Sequence, residues 1–134
     1  MIMPQATDIT VDNGETTPVS KTFALVTPAA GDGGIAMWAL KEGTISAVFP
    51  TLTASASKTS NGSRKLQLKF RLPSSYSDPV TGLTNVGPAA EFNATFSIPN
   101  VFPESLKDDW TAFTTNLLND SLVKALIRDA YPAT

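Results

Sequence analysis

Two residue types are missing from the sequence, whose 134 residues include no cysteine and no histidine. Without cysteine the chain has no disulfide, no thiol nucleophile and no zinc finger. Without histidine it has no axial haem histidine and no catalytic triad whose base is an imidazole. The scattered turn acids also lack the spacing of a calcium-binding loop, so we expect no metal site, no cofactor and no enzymatic activity.

Long hydrophobic runs are also missing. No window approaches the roughly 18 consecutive apolar residues that a membrane span needs. Residues 1–5 lack the basic segment and the apolar segment of a secretory signal. Because 42% of the residues are hydrophobic and 16% are charged, the chain should fold. We predict one domain over residues 1–134, with no membrane partner.

Neither sign of charge is in large excess, since 10 basic and 12 acidic residues give a formal net charge of −2. This total gives no indication of nucleic-acid binding. The basic residues are nevertheless clustered. Lys58, Arg64, Lys65, Lys69 and Arg71 lie in one segment that contains no acidic residue. Basic charge is therefore concentrated on a short part of an otherwise acidic chain.

Alternation of polar and apolar residues predicts six β-strands, and it is clearest over residues 65–72. The six predicted strands are residues 7–11, 22–26, 35–40, 51–57, 65–72 and 91–98. Together they form an N-terminal hairpin and a sheet over about residues 7–99. Residues 74–88 contain two glycines and two prolines and show no period, so they predict a long loop with a functional role.

After Pro103 the apolar residues recur at helical spacing. One helix carries Leu106, Trp110, Phe113 and Leu117, and a second, short helix carries Leu122 and Leu126 on the far side of a break at residues 119–121. The helical segment spans about residues 104–130. Strands followed by helices predict an α+β fold, in which an antiparallel sheet packs against helices.

The predicted helices are too few to cover the predicted sheet. Six strands span roughly 29 Å at about 4.8 Å per strand, whereas each helix is only about 10 Å wide. We therefore predict a homodimer in which the helices of each subunit interlock with the partner's sheet. The expected interface residues are Leu106, Trp110, Phe113, Leu117, Leu122 and Leu126.

The same alternation predicts a polar sheet face. Residues 65–72 place Lys65, Gln67, Lys69 and Arg71 on one side and apolar residues on the other. The neighbouring strands contribute Thr51, Thr53, Ser55 and Ser57 on one flank and Glu91, Asn93, Thr95 and Ser97 on the other. Hydroxyls, amides and cations suit contacts to phosphates, sugars and base edges. The alternative is an ordinary solvent-exposed face.

Four segments resemble the coat proteins of single-stranded RNA bacteriophages, the levivirus type. Residues 34–38 resemble the family's tryptophan-containing strand, and residues 61–73 resemble its basic hairpin strand ending in proline. Residues 91–99 are similar to its last strand, and residues 117–127 to its paired C-terminal helices. The resemblance covers nearly the whole chain and is strongest after residue 34.

The resemblance implies a dimer that assembles into an icosahedral shell around a single-stranded RNA genome. The polar sheet face would point inward and bind RNA, and recognition of a genomic hairpin there would repress translation of the replicase. The implied locations are the virion and, during assembly, the host cytoplasm. A minor maturation protein of the virion is the further partner implied.

The resemblance also locates candidate RNA contacts, to which the basic cluster adds three cations. The full candidate set is Thr51, Thr53, Ser55, Ser57, Lys58, Arg64, Lys65, Gln67, Lys69, Arg71 and Asn93. Glu91 departs from the family, because some members stack a base on a tyrosine there. We therefore expect a different or weaker hairpin specificity. Two alternatives remain: a dimeric RNA-binding translational regulator that forms no shell, and a small hydrolase that uses lysine or paired carboxylates.

Overall fold

The structure is a computed structural model that describes residues 4–43 and 45–134. These described residues form a six-stranded antiparallel sheet and two helices. Met1 to Met3, part of the stretch considered for a secretory signal, lie outside the described residues. The strands follow one another in the sheet in chain order. They are β1 (Ile9–Asp12), β2 (Ser20–Thr27), β3 (Ile35–Ala39), β4 (Thr51–Lys58), β5 (Arg64–Ser77) and β6 (Thr84–Ile98).

The turn between β4 and β5 shows how short polar segments hold this meander together. Asn61 Oδ1 accepts a hydrogen bond from the Ser63 amide at 3.2 Å, and the Thr59 amide donates to the Ser63 carbonyl at 2.8 Å. Gly62 follows Asn61 with φ at +87°, a left-handed conformation that glycine adopts without steric cost. The basic residues of β5 therefore begin immediately after a tight turn.

The prediction of a long loop over residues 74–88 is wrong, because most of that segment is strand. Tyr76 pairs with Asn85 and Ser77 pairs with Thr84, which leaves only residues 78–83 as a turn. The register shifts between Pro73 and Ser75, where the regular alternation is interrupted. Because most of the side chains beyond this shift are exposed, they carry no period-two hydrophobic signal. An extended hairpin therefore looks like a loop in the sequence.

The chain falls into two compact units, residues 1–98 and 99–134. In the sheet unit, Phe70 contacts both Phe23 and Phe92 edge to face, with ring centroids 5.9 Å apart in each pair. Trp38 Nε1 donates to the Thr7 carbonyl at 2.7 Å, which ties the N-terminal segment to the sheet. Ala36, Ala39 and Val48 are buried in the sheet unit, and all three are small or medium in size.

The helical unit contains α1 (Lys107–Leu118) and α2 (Ser121–Asp129). A short 3₁₀ turn over Glu104–Leu106 precedes α1. The Asp120 side chain caps α2 by accepting from the Leu122 amide at 3.0 Å. The predicted fold, strands followed by two C-terminal helices, is confirmed. In the part of the chain that the structure describes, neither helix is long and apolar enough to cross a membrane.

Large apolar side chains of the helical unit remain exposed. Phe113 is 66% exposed and Leu117 62%, while Leu122 is 59% and Leu106 47% exposed. Trp110 and Leu126 are half-buried. Exposure of this many large apolar side chains on one chain is typical of a surface that a protein partner covers.

Candidate nucleic-acid interface

The register of the last three strands brings the polar side chains into four transverse rows. Each row has one residue from β4, one from β5 and one from β6, and the side chains share a face because they stand directly opposite one another. We call this surface the polar face. Its rows are Thr51–Arg71–Glu91, Thr53–Lys69–Asn93, Ser55–Gln67–Thr95 and Ser57–Lys65–Ser97.

The polar face contains nine of the eleven predicted RNA contacts. On its central strand, Lys65, Gln67, Lys69 and Arg71 are all exposed. Among the described residues, Lys65 and Lys69 form no ion pair with a carboxylate. Two ammonium groups on one strand, separated by a single amide side chain, can therefore bind anions without first breaking a salt bridge.

The third cation of the polar face is paired. Arg71 Nε lies 3.4 Å from Glu91 Oε1, in the row at one end of the face. Both side chains are substantially exposed, 44% for Arg71 and 57% for Glu91, so the pair is weakly held. With three cationic side chains and one carboxylate, the polar face remains positive although the whole chain is acidic.

The structure does not place Lys58 and Arg64 on the polar face. They pair with each other across β4 and β5 at positions that alternate with those of the polar residues. Arg64 instead forms two hydrogen bonds with the Asp32 carboxylate, at 2.7 and 2.8 Å. The prediction grouped the five cations by charge alone. Side chains at even and odd positions of a strand point to opposite faces, so Lys58 and Arg64 are separated from the other three cations.

The Asp32–Arg64 pair changes the titration of both groups. The hydrogen bonds from Arg64 lower the pKa of Asp32, and Lys58 lowers it further through its charge. The same hydrogen bonds raise the pKa of Arg64. Arg64 therefore joins the turn before β3 to the start of β5, and its charge is already neutralised by a partner.

An apolar groove of about 580 Å³ lies on the opposite side of the sheet unit. Its lining includes the apolar side chains of Trp38, Ala56 and Leu66 and the charged pair of Asp32 and Arg64. Asp32 and Arg64 are hydrogen-bonded to each other at this groove. No cluster of three or more potential metal ligands occurs among the residues that the structure describes.

Three polar-face residues were not among the predicted contacts, namely Glu91, Thr95 and Ser97. They pair with Arg71, Gln67 and Lys65, respectively, in three of the four rows. The signal for them was present in the sequence, because alternation over residues 91–98 places them on the same side as Asn93. What the sequence could not show is the register that aligns each of them with a particular cation or amide.

The model of the levivirus coat protein family matches residues 4–133 of this chain. The chain belongs to the levivirus coat protein family. Its structure is similar to the virus-like particle of bacteriophage NT-214, with a TM-score of 0.85, 26% identity, and coverage of 98% of this chain and 100% of that one. Among curated proteins, no significant match is found.

More distant structures share the fold. The virus-like particle of bacteriophage ESE058 is 19% identical, with a TM-score of 0.80 and coverage of 98% of this chain and 100% of that one. The protein capsid of bacteriophage GA is 21% identical, with a TM-score of 0.64 and coverage of 90% and 92%. Family membership gives this levivirus coat protein a structural role in the capsid and makes it a component of the virion.

Proposed function

We propose that the coat protein forms homodimers that assemble into an icosahedral shell around single-stranded genomic RNA, with the polar face turned toward the RNA. Residues 1–134 act as one coat-protein domain in this proposal. A genomic hairpin bound on the polar face represses translation of the replicase. Assembly takes place in the host cytoplasm, and a minor maturation protein joins the virion.

The observation that carries the RNA-binding part is the chemical difference between the two sides of the sheet. One side is a continuous array of hydroxyls, amides and cations, while the other carries Leu66, Leu68 and Phe70. A sheet with this asymmetry can pack against protein on one side and bind a polyanion on the other. Lys65 and Lys69 lie on the central strand of the polar side.

The dimer part of the proposal rests on apolar surface that the isolated chain leaves exposed. Fully burying a side chain the size of Phe113 or Leu117 contributes about 1.5–3 kcal/mol. Six such positions per subunit, counted twice in a symmetric dimer, supply the apolar centre of an interface, for which the standard size is about 1,600 Å². The apolar groove beside Trp38 and Leu66 offers a surface on which a partner's helix can pack.

The RNA part predicts a dependence on salt. Each phosphate that a lysine or arginine neutralises releases counterions, so affinity falls with salt at a logarithmic slope of about 0.7 per contact for single strands. Assembly in the presence of RNA should therefore weaken as ionic strength rises. A particle held together by apolar contacts alone would show little such dependence.

The test is a double substitution of the unpaired lysines on the polar face, Lys65→Ala with Lys69→Ala. We expect particles of this variant to contain less RNA and to show a shallower salt slope, while the dimer persists. The matched control is Lys41→Ala with Lys124→Ala, which removes the same charge from exposed lysines outside the polar face. Equal RNA content in the two variants would reject the polar face as the RNA surface.

A further inference from the structure

Glu91 is an unexpected residue for an RNA-binding surface, because its carboxylate repels phosphate. It lies in the end row of the polar face, opposite Arg71 and two strands from Thr51. More than half of its side chain is exposed. A carboxylate there interacts favourably with RNA only through hydrogen-bond donors, and in RNA the donors are base N–H groups and ribose hydroxyls.

A shallow cleft of about 210 Å³ lies at this end of the polar face. Its polar side chains are Thr51, Thr53, Lys69, Arg71, Glu91 and Asn93. Phe70 and Phe92 also line it, and strand alternation turns their side chains to the other face, so their main chain forms the floor. The cleft is smaller than the roughly 300–1,000 Å³ of typical ligand pockets. It therefore suits one planar base, with the sugar and phosphate outside.

The carboxylate of Glu91 offers two acceptor oxygens side by side and no donor. Guanine is the one standard RNA base with two adjacent donors, N1–H and the N2 amino group, on its Watson–Crick edge. Adenine and cytosine each offer one amino donor beside a ring-nitrogen acceptor, and uracil has one N–H between two carbonyl oxygens. In each of those three bases an acceptor would face the carboxylate, which is repulsive.

Arg71 can pair with one further atom on the same edge of guanine. The guanine edge continues from N2 and N1 to the O6 acceptor, and the neighbour of the Glu91 carboxylate in the row is a guanidinium donor. The Nε-to-Oε1 distance of 3.4 Å is long, and among the described hydrogen bonds none joins Arg71 to Glu91. The Asp32–Arg64 pair, by contrast, has two bonds of 2.7 and 2.8 Å. Both Arg71 and Glu91 thus have capacity left for a third group.

We propose that Glu91 and Arg71 select an unpaired guanine in the bound RNA. The carboxylate accepts from N1–H and N2–H, the guanidinium donates to O6, and Lys69 binds a neighbouring phosphate. This inference rests on the proposed function, since it requires that the polar face binds RNA. It makes Glu91 a specificity residue of that face.

The experiment measures binding of four labelled RNA hairpins by the full-length chain, using fluorescence anisotropy at one fixed salt concentration. The hairpins share a stem and a uridine loop, and one central loop position is G, A, C or U. We expect the guanine hairpin to bind at least about fivefold more tightly than each of the others, as for one good bidentate contact. Glu91→Gln should abolish the preference, because an amide places a donor against a donor. Glu15→Gln, which removes the same charge from a turn outside the polar face, should retain it.

The outcomes separate this inference from the proposed function. Equal, salt-dependent binding of all four hairpins would overturn guanine selection while leaving RNA binding intact. A uniform gain in affinity for all four hairpins with Glu91→Gln would also overturn it, since the carboxylate would then act only by repulsion. Absence of binding to every hairpin even at low salt would overturn both. A guanine preference that disappears only in Glu91→Gln supports the inference.

Discussion

At the scale of single residues, side-chain alternation determines which cations share one side of the sheet. Lys65, Lys69 and Arg71 occupy odd positions and share the polar face, whereas Lys58 and Arg64 do not. The period-two pattern over residues 65–72 was sufficient to predict the first group. Lys58 and Arg64 were assigned to the RNA contacts only because they are near the other cations in the sequence. Asp32, the turn acid that binds Arg64, lies 32 residues away, so no local sequence pattern indicates the pair.

The Asp32–Arg64 pair predicts a specific acid sensitivity. Because the pKa of Asp32 is lowered in the folded chain, its stabilising contribution is present above the unfolded-state pKa and is lost as pH falls through the folded one. Below about pH 4, the wild type should therefore lose more stability than Asp32→Asn does. The measurement is the urea midpoint as a function of pH for both proteins.

Glu15→Gln is the control for this acid-sensitivity experiment, because it neutralises an exposed acid that forms no ion pair with the other described residues. It should follow the wild-type pH profile. If Asp32→Asn also followed that profile, the ion pair would make no contribution to folding and Arg64 would be available for other partners.

At the scale of secondary-structure elements, strong periodicity was reliable and its absence was misleading. The helical spacing after Pro103 and the break at residues 119–121 predicted both helices. Residues 74–88 have no period because the distal hairpin is exposed, so nothing in their pattern distinguishes strand from loop. The register shift after Pro73 removes the remaining signal.

The cap of α2 gives a quantitative prediction. Asp120→Ala removes the side-chain acceptor of the Leu122 amide and should lower the free energy of unfolding by about 1 kcal/mol, the usual cost of losing an N-cap. Asp120→Asn keeps an acceptor in the same place and should cost much less. Chemical denaturation of the two variants provides the comparison. Equal losses would show that the charge, rather than the cap, stabilises this helix.

At the scale of the whole molecule, the isolated chain leaves large apolar side chains uncovered. Ala36, Ala39 and Val48 are buried, whereas Phe113 is 66% and Leu117 62% exposed. We predicted from the sequence that apolar surface would stay exposed, because two short helices are too narrow to cover a sheet of six strands. The sequence could not give the arrangement of a dimer, which depends on how two three-dimensional surfaces fit.

The proposed dimer predicts a different response at two neighbouring helix positions. Phe113→Asp places a charge on the exposed apolar surface and should shift the protein to monomers or prevent assembly, since about 1.5–3 kcal/mol of apolar burial per subunit is lost. Thr111→Asp, at an exposed polar position of the same helix, should leave the dimer intact. Sedimentation velocity separates the species, and circular dichroism shows whether the helices persist. A folded Phe113→Asp dimer would contradict the proposed interface.

The central claim is that this coat protein builds a closed shell around RNA. Its most direct test is negative-stain electron microscopy of the protein expressed alone in bacteria, with the absorbance ratio at 260 and 280 nm measured on the same sample. We predict uniform round particles whose absorbance ratio shows packaged nucleic acid. A species of dimer size that forms no particles, under several salt conditions and with RNA added, would contradict the account and support an RNA-binding regulator that does not assemble.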